Sequence, residues 1–189
     1  VNSLSLNYLK EVESNIRNEI IGQDKCIERS IKCLKRYIIG SNDKRKPIGS
    51  LLLVGPTGTG KTELCKQIAS RVFSPECFIR FDMSEFMEKH SVSKIIGSPP
   101  GYIGSDRGGI LTEAIKHNPF SVILFDEVEK AHPDVMNILL QIMDDGRLTD
   151  SSGTTVDFCS CLIMMTSNIG CKEYLEKNSI GFSGPEEKD

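Results

Sequence analysis

The chain contains no apolar run of about 18 residues, the minimum for a membrane-crossing helix, and its start carries no basic stretch leading into an apolar one. No segment of this chain is therefore expected to span or target a membrane, and both ends read as cut from a longer polypeptide, so that a targeting segment would lie outside it. Seven cysteines are present (Cys26, Cys33, Cys65, Cys77, Cys159, Cys161 and Cys171), yet none forms a CxxC pair and no histidine lies near them in zinc spacing. This odd set is expected to be reduced, small apolar filler in an intracellular, reducing compartment, whether cytosol or organelle. Internal repeats and low-complexity segments are also missing. The formal net charge is only −3, which disfavours a protein that generally seeks nucleic acid or a membrane surface.

The charge that is present is uneven. Residues 1–50 carry +4 and the remainder −7, much of it between Asp126 and Asp157. An acidic centre points to bound cations. With 189 residues, 39% of them hydrophobic, the chain has the size of one domain with a sizeable core. Leu6, Leu9, Val12, Ile16 and Ile20 recur at helical spacing, as do Ile27, Ile31, Leu34 and Ile38, so two amphipathic helices are predicted before the charged turn at 40–49. Beyond that turn the pattern changes. Leu51–Val54, Phe78–Phe81, Val122–Phe125 and Leu162–Met165 are short, nearly continuous apolar runs, the mark of strands covered on both faces. Helical stretches at Thr62–Arg71, Gly109–His117 and Pro133–Asp145 separate them, and this alternation predicts an α/β fold with a parallel sheet.

The stretch LLLVGPTGTGKTELCKQIA places G-x-x-x-x-G-K-T directly after a strand and at the opening of a helix, the context this motif requires. Gly55, Gly58 and Gly60 lack a Cβ, so successive backbone N–H groups can converge on an anion, helped by the positive end of the following helix. Lys61 then reaches the terminal phosphates of ATP or ADP, and the Thr62 hydroxyl faces Mg²⁺. The nucleotide-binding residues are taken as Pro56, Thr57, Gly58, Thr59, Gly60, Lys61, Thr62 and Glu63. The run SVILFDEVEK ends a strand in Asp126 and Glu127. Ligands of open α/β sheets bind beyond the carboxyl ends of the strands, so Asp126 is expected in the Mg²⁺ shell and Glu127 is expected to orient and deprotonate an attacking water. CLIMMTSN repeats the design, and Thr166, Ser167 and Asn168 are expected on the same rim. There the Asn168 amide could hydrogen-bond a phosphate oxygen and the water.

With GPTGTGKTEL, RFDMSEFMEKHSVSKIIGSPPGYIG, FDEVEKAHPDVMNILLQIMDDGRLTD and MTSNIG in this order, residues 20–170 resemble the second ATPase module of Clp-type AAA+ unfoldases. The one minor departure is Thr59, where relatives usually have Val. The resemblance implies a P-loop NTPase three-layer sandwich with a central, mostly parallel five-stranded sheet. It divides the chain into leading helices (1–46), a large nucleotide-binding subdomain (47–170) and a tail at 171–189 that stops short of a helical lid. It also implies that Ile21 and Gly22, with Gln23 and Asp24, line an adenine pocket, and that Asn168 is the first sensor residue. Full-length members form homo-hexameric rings that thread unfolded polypeptides through a central pore.

In SPPGYIGSDRGG the resemblance makes Tyr102 and Ile103 a substrate-gripping pore loop; alone, the stretch reads as a turn with one exposed aromatic. DDGRLTDSSGTTVDF is a weaker candidate for a second pore-facing loop. Ile180-Gly181-Phe182 matches the triplet with which peptidase-linked relatives dock on a ClpP-type peptidase ring. That places the chain nearer the ClpA/ClpC branch than the disaggregases, which lack the loop. The arginine finger and the second sensor would lie beyond Asp189, none of Arg80, Arg107 and Arg147 being in the corresponding motif, so the chain is expected to bind nucleotide but hydrolyse it slowly. The alternatives are a peptidase-independent disaggregase and, from another class, a nucleic-acid motor using Lys32, Lys35, Arg36, Lys44, Arg45 and Lys46. That basic run is more simply a solvated helix face and turn. No acceptor-binding signature supports a phosphotransferase.

Overall fold

The structure, a computed structural model, describes residues 5–56, 58–98, 101 and 108–169. Four strands, β1 (Gly49–Val54), β2 (Phe78–Asp82), β3 (Val122–Asp126) and β6 (Leu162–Ser167), form one parallel sheet in the order β1-β6-β3-β2. Register runs Phe81 beside Phe125, Phe125 beside Met165, and Met165 beside Leu52. Because all four strands run the same way, Val54, Asp82, Asp126 and Ser167 emerge at one edge. The resemblance implies five strands, but among the described residues the sheet has four, matching the four short apolar runs in the sequence, and β1 stands at one edge of it.

Burial follows the pleat. Every residue of β3 and β6 is buried, and successive side chains enter opposite cores: Val122, Leu124, Leu162 and Met164 join one, Ile123, Phe125, Ile163 and Met165 the other. The first core is covered by α1 (Leu6–Glu19), α2 (Asp24–Ile38) and α3 (Lys61–Ile68) through Leu9, Ile16, Ile27, Ile31, Leu34 and Leu64. The second is covered by α4 (Ser91–Ile96), α5 (Ile110–His117) and α6 (Pro133–Asp145) through Ile95, Leu111, Ile115, Val135, Leu139 and Ile142. Three layers result. The leading helices α1 and α2 are thus part of the same core as β1, and each fully buried Leu or Ile contributes roughly 1.5–3 kcal/mol.

Two elements lie outside the expected pattern. The polar stretch after α6 folds into an antiparallel pair, β4 (Arg147–Thr149) and β5 (Thr155–Asp157), with only Leu148 and Val156 turned inward. Its turn is built on Asp150, whose carboxylate accepts hydrogen bonds from Ser152 N–H (3.0 Å), Ser152 Oγ (2.6 Å), Thr154 N–H (2.9 Å) and Lys116 Nζ (2.9 Å). The other is α4, six residues long, which ends at Gly97. Gly97 and Gly108 form an antiparallel bridge. Gly109 packs so closely there that a Cβ on it would lie 1.9 Å from the Ile95 carbonyl oxygen. Ser151 of the β4–β5 turn donates its N–H to Ile96 O (3.0 Å) and its hydroxyl to Ser98 O (2.9 Å). Among the described residues no helix is long and apolar enough to cross a membrane, and Cys26, Cys33, Cys65, Cys77, Cys159 and Cys161 are free thiols.

Candidate active site

The loop between β1 and α3 carries the first half of the site. Gly58 and Gly60 have φ of 83° and 81°, left-handed values that cost a side chain roughly 1–2 kcal/mol. Outside its chain neighbours, no atom of the described residues lies within 4 Å of a Cβ built on Gly58. Lys61 opens α3 and is 7% exposed. Its ammonium donates to Gly55 O (2.6 Å), Pro56 O (2.7 Å) and Asn168 Oδ1 (3.3 Å). Among the described residues no carboxylate lies within ion-pair range of it. A buried cation with only neutral acceptors is poised for an anion.

The strand ends supply the second half. Asp126, 8% exposed, closes β3. One of its oxygens accepts the Thr166 hydroxyl from the end of β6, and the other accepts Arg80 Nη2 (2.7 Å) and Nε (3.0 Å) from β2. Glu127 follows with φ 56°, the one positive-φ non-glycine among the described residues, and its N–H donates to Thr166 Oγ1 (3.0 Å). A glutamate held in this rarely populated region stores conformational strain of about 1–3 kcal/mol, which marks functional positions. Its carboxylate accepts Lys130 Nζ (2.5 Å) and Asn168 Nδ2 (3.4 Å). Asn168 therefore joins the lysine and the glutamate, its Oδ1 on one and its Nδ2 on the other. It is itself fixed by donating its N–H to Glu129 Oε1 (3.0 Å). Burial pushes the Glu129 pKa up, but hydrogen bonds led by the Asn168 N–H outweigh it and hold the carboxylate below its ordinary value.

A trough of about 530 Å³ connects these groups, lined by Gly58, Gly60, Lys61, Thr62, Asp126, Glu127 and Asn168. It continues past Gly58, Thr59, Gly60 and Glu63 into a wider cleft of about 850 Å³, lined by Ile21, Gly22, Gln23, Val54 and Pro56. Gln23 Nε2 donates to Thr59 O (2.9 Å), tying that segment to the loop. Ile21 is 90% exposed there, an apolar side chain left open on the wall of the cleft. The structure thus brings together Ile21, Gly22, Pro56, Gly58, Thr59, Gly60, Lys61, Thr62, Glu63, Asp126, Glu127 and Asn168. Thr57, Tyr102, Ile103, Ile180, Gly181 and Phe182 lie outside the described residues. Arg80, Asp82, Lys66 and Thr166 also line the trough. Sequence reasoning had set Arg80 aside and passed over Asp82 and Lys66, although RFD at the carboxyl end of β2 was the available signal.

The donor set fits Mg²⁺. Among the described residues no group of three or more His, Cys, Asp or Glu could cage a metal, whereas Thr62 and Asp126 line the trough and offer the hydroxyl and single carboxylate that Mg²⁺ uses alongside substrate phosphates.

Residues 46–189 match the family described as AAA domain (Cdc48 subfamily). The chain belongs to this AAA family. The chain is 54% identical over 179 residues to the chaperone protein ClpC3, chloroplastic, of Oryza sativa subsp. japonica, covering 93% of this chain and 19% of that protein. It is 50% identical over 180 residues to the negative regulator of genetic competence ClpC/MecB of Bacillus subtilis (strain 168), covering 95% and 22%. It is 49% identical over 188 residues to the ATP-dependent Clp protease ATP-binding subunit ClpC of Staphylococcus epidermidis (strain ATCC 12228 / FDA PCI 1200), covering 99% and 23%. The chain spans about a fifth of the length of these curated relatives.

Proposed function

We propose that this AAA domain binds and hydrolyses ATP as a module of a Clp-type protein unfoldase. The observation that carries the reading is the hydrogen-bonded chain Lys61–Asn168–Glu127 beside Asp126, set against an open loop of left-handed glycines. Lys61, half-freed from two loop carbonyls, binds the terminal phosphates. Main-chain amides of the loop hold the rest of the anion, and Ile21 and Gly22 flank the adenine. Thr62 and Asp126 hold Mg²⁺, which when bound neutralises charge developing between the phosphates. Glu127 leaves Lys130 to accept the proton of the attacking water. Asn168 keeps that carboxylate in line with the phosphate end of the trough, because one amide touches both.

In the full-length protein we place the module in a homo-hexamer, with Tyr102 and Ile103 gripping unfolded polypeptide. The bridge between Gly97 and Gly108 supports this, since it gives the intervening segment a fixed base. The β4–β5 turn braces that base through Ser151. Ile180, Gly181 and Phe182 dock on a ClpP-type peptidase, and a reducing intracellular compartment suits the free thiols. The relatives' names, among them an ATP-binding subunit of an ATP-dependent Clp protease, favour this over a disaggregase or a nucleic-acid motor. The test is the ATPase rate of the full-length protein with an unfolded polypeptide or with DNA added, and a peptidase pull-down with and without Phe182→Ala. Stimulation by polypeptide and loss of capture in the variant are expected. Stimulation by DNA alone, or capture indifferent to Phe182, would overturn the reading.

A further inference from the structure

Arg80 has no part in the chemistry above, yet its guanidinium makes the only ion pair that Asp126 has among the described residues. Both contacts, Nη2 at 2.7 Å and Nε at 3.0 Å, fall on the same oxygen, Oδ2, while the Thr166 hydroxyl occupies Oδ1. The pair is lopsided: the Arg80 side chain is 46% exposed and that of Asp126 only 12%. A structural ion pair of the interior buries both partners and is broken at high cost. Here only the carboxylate is committed. Arg80 can turn into water or toward Asp82, whose Oδ2 already lies 3.7 Å from Nη2, whereas Asp126 stripped of its cation would be left buried and charged.

Arg80 also lines the trough with Thr62 and Asp126. Two cations at one carboxylate oxygen repel strongly at contact distance, so a divalent ion near Oδ2 and Arg80 in its present place exclude each other. We propose that Arg80 is an exchangeable counter-ion and positioning residue for Asp126: it neutralises the carboxylate when no divalent cation is present, and thereby sets how much Mg²⁺ strengthens nucleotide binding. This rests on the reading of Asp126 as the carboxylate on the Mg²⁺ side.

The test is equilibrium binding of a fluorescent ATP analogue to the chain, in EDTA and in saturating Mg²⁺, read as the ratio of the two Kd values. With Arg80 removed, Mg²⁺ no longer competes with a resident cation, and Arg80→Met should raise that ratio about three- to tenfold, the scale of a half-exposed ion pair. Arg80→Gln carries the same expectation, and Arg80→Lys, which keeps the charge, should stay near wild type. In an Asp126→Asn background the Arg80→Met change should have no effect on the ratio. A ratio unchanged by both Arg80→Met and Arg80→Gln in proteins with native thermal unfolding overturns the proposal, and so does an effect that persists in Asp126→Asn. If wild type itself gains nothing from Mg²⁺, the role given to Asp126 falls, and this inference with it.

Discussion

Replacing Lys61 by Met should separate binding from stability. The Lys61 residue is 7% exposed, and among the described residues its ammonium meets Gly55 O, Pro56 O and Asn168 Oδ1. Deleting it forfeits hydrogen bonds from a charged donor, roughly 1.5–3 kcal/mol, but also removes a desolvated charge with no carboxylate partner, a cost of similar size. The melting temperature of the ligand-free variant should therefore move by less than about 4 °C, the equivalent of ~1 kcal/mol in a chain of this size. With nucleotide the balance differs, because the same ammonium faces phosphate oxygens. Losing that contact at about 2–3 kcal/mol weakens Kd about 30- to 150-fold. At a ligand concentration that stabilises wild type by about 4 kcal/mol, a hundredfold weaker site stabilises by only about 1.4 kcal/mol. The ligand-induced rise in Tm should therefore shrink by about 5–11 °C. Differential scanning fluorimetry at several ATP concentrations measures both numbers. A ligand-free Tm that collapses while the ATP-induced rise survives would refute the reasoning, by making Lys61 a structural residue.

Glu127→Gln in the full-length protein should keep ATP binding and lose turnover by about 10²–10³-fold, as loss of a catalytic proton acceptor does; steady-state ATPase beside nucleotide binding checks it, and unchanged turnover removes Glu127 from the chemistry. Asp150→Asn should destabilise the fold by about 1–3 kcal/mol, since an amide N–H₂ would face Lys116 Nζ in a site 2% exposed; denaturant unfolding measures it. Burial pushes the Asp150 pKa up, but hydrogen bonds from Ser152, Lys116 and Thr154 outweigh it and hold the carboxyl well below its ordinary 3.8. A depressed folded-state pKa stabilises above the unfolded value and loses that contribution as pH falls, so wild-type stability should drop below about pH 4 more steeply than that of the variant. Burial pushes the Cys65 and Cys161 thiols up to about 12, so neither should react with a thiol reagent at neutral pH until the protein unfolds, as mass spectrometry after pulse labelling would record.

The sheet and the convergence of polar strand ends on one rim were legible in the sequence because both depend on local signals. Four apolar runs, interrupted only by Arg80, correspond to four strands, of which the two central ones, β3 and β6, are buried on both faces while the edge strands β1 and β2 are partly exposed, and a Gly-rich loop between a strand and a helix is a specific phosphate-loop signal. The fifth strand came from resemblance rather than from an apolar run. The β4–β5 pair escaped notice because it turns a single apolar residue inward from each strand, Leu148 and Val156, too few to show a period. Helix α4, six residues long, is also too short to show one. The partners that hold the site together were hidden for a different reason. Glu129 and Arg80 are charged residues whose roles follow only from which strand neighbours which: β2 beside β3 sets Arg80 on Asp126, and β3 beside β6 sets Glu129 under Asn168, whereas Lys130 reaches Glu127 locally, three residues back. Apart from the place of RFD at the carboxyl end of a strand, nothing in RFD or EVEK distinguishes these residues from solvated charges.

The central claim is that the polar ends of β3 and β6 and the loop before α3 enclose the phosphates of one nucleotide. A crystal structure of the chain with a non-hydrolysable ATP analogue and Mg²⁺ tests it most directly. We predict terminal phosphates against the amides of Gly58 to Thr62, with Lys61 Nζ moved from the Gly55 and Pro56 carbonyls onto a phosphate oxygen and Glu127 facing the last phosphate. Nucleotide bound elsewhere, or a bound nucleotide with Lys61 still on those two carbonyls and Glu127 remote from the phosphates, would contradict it.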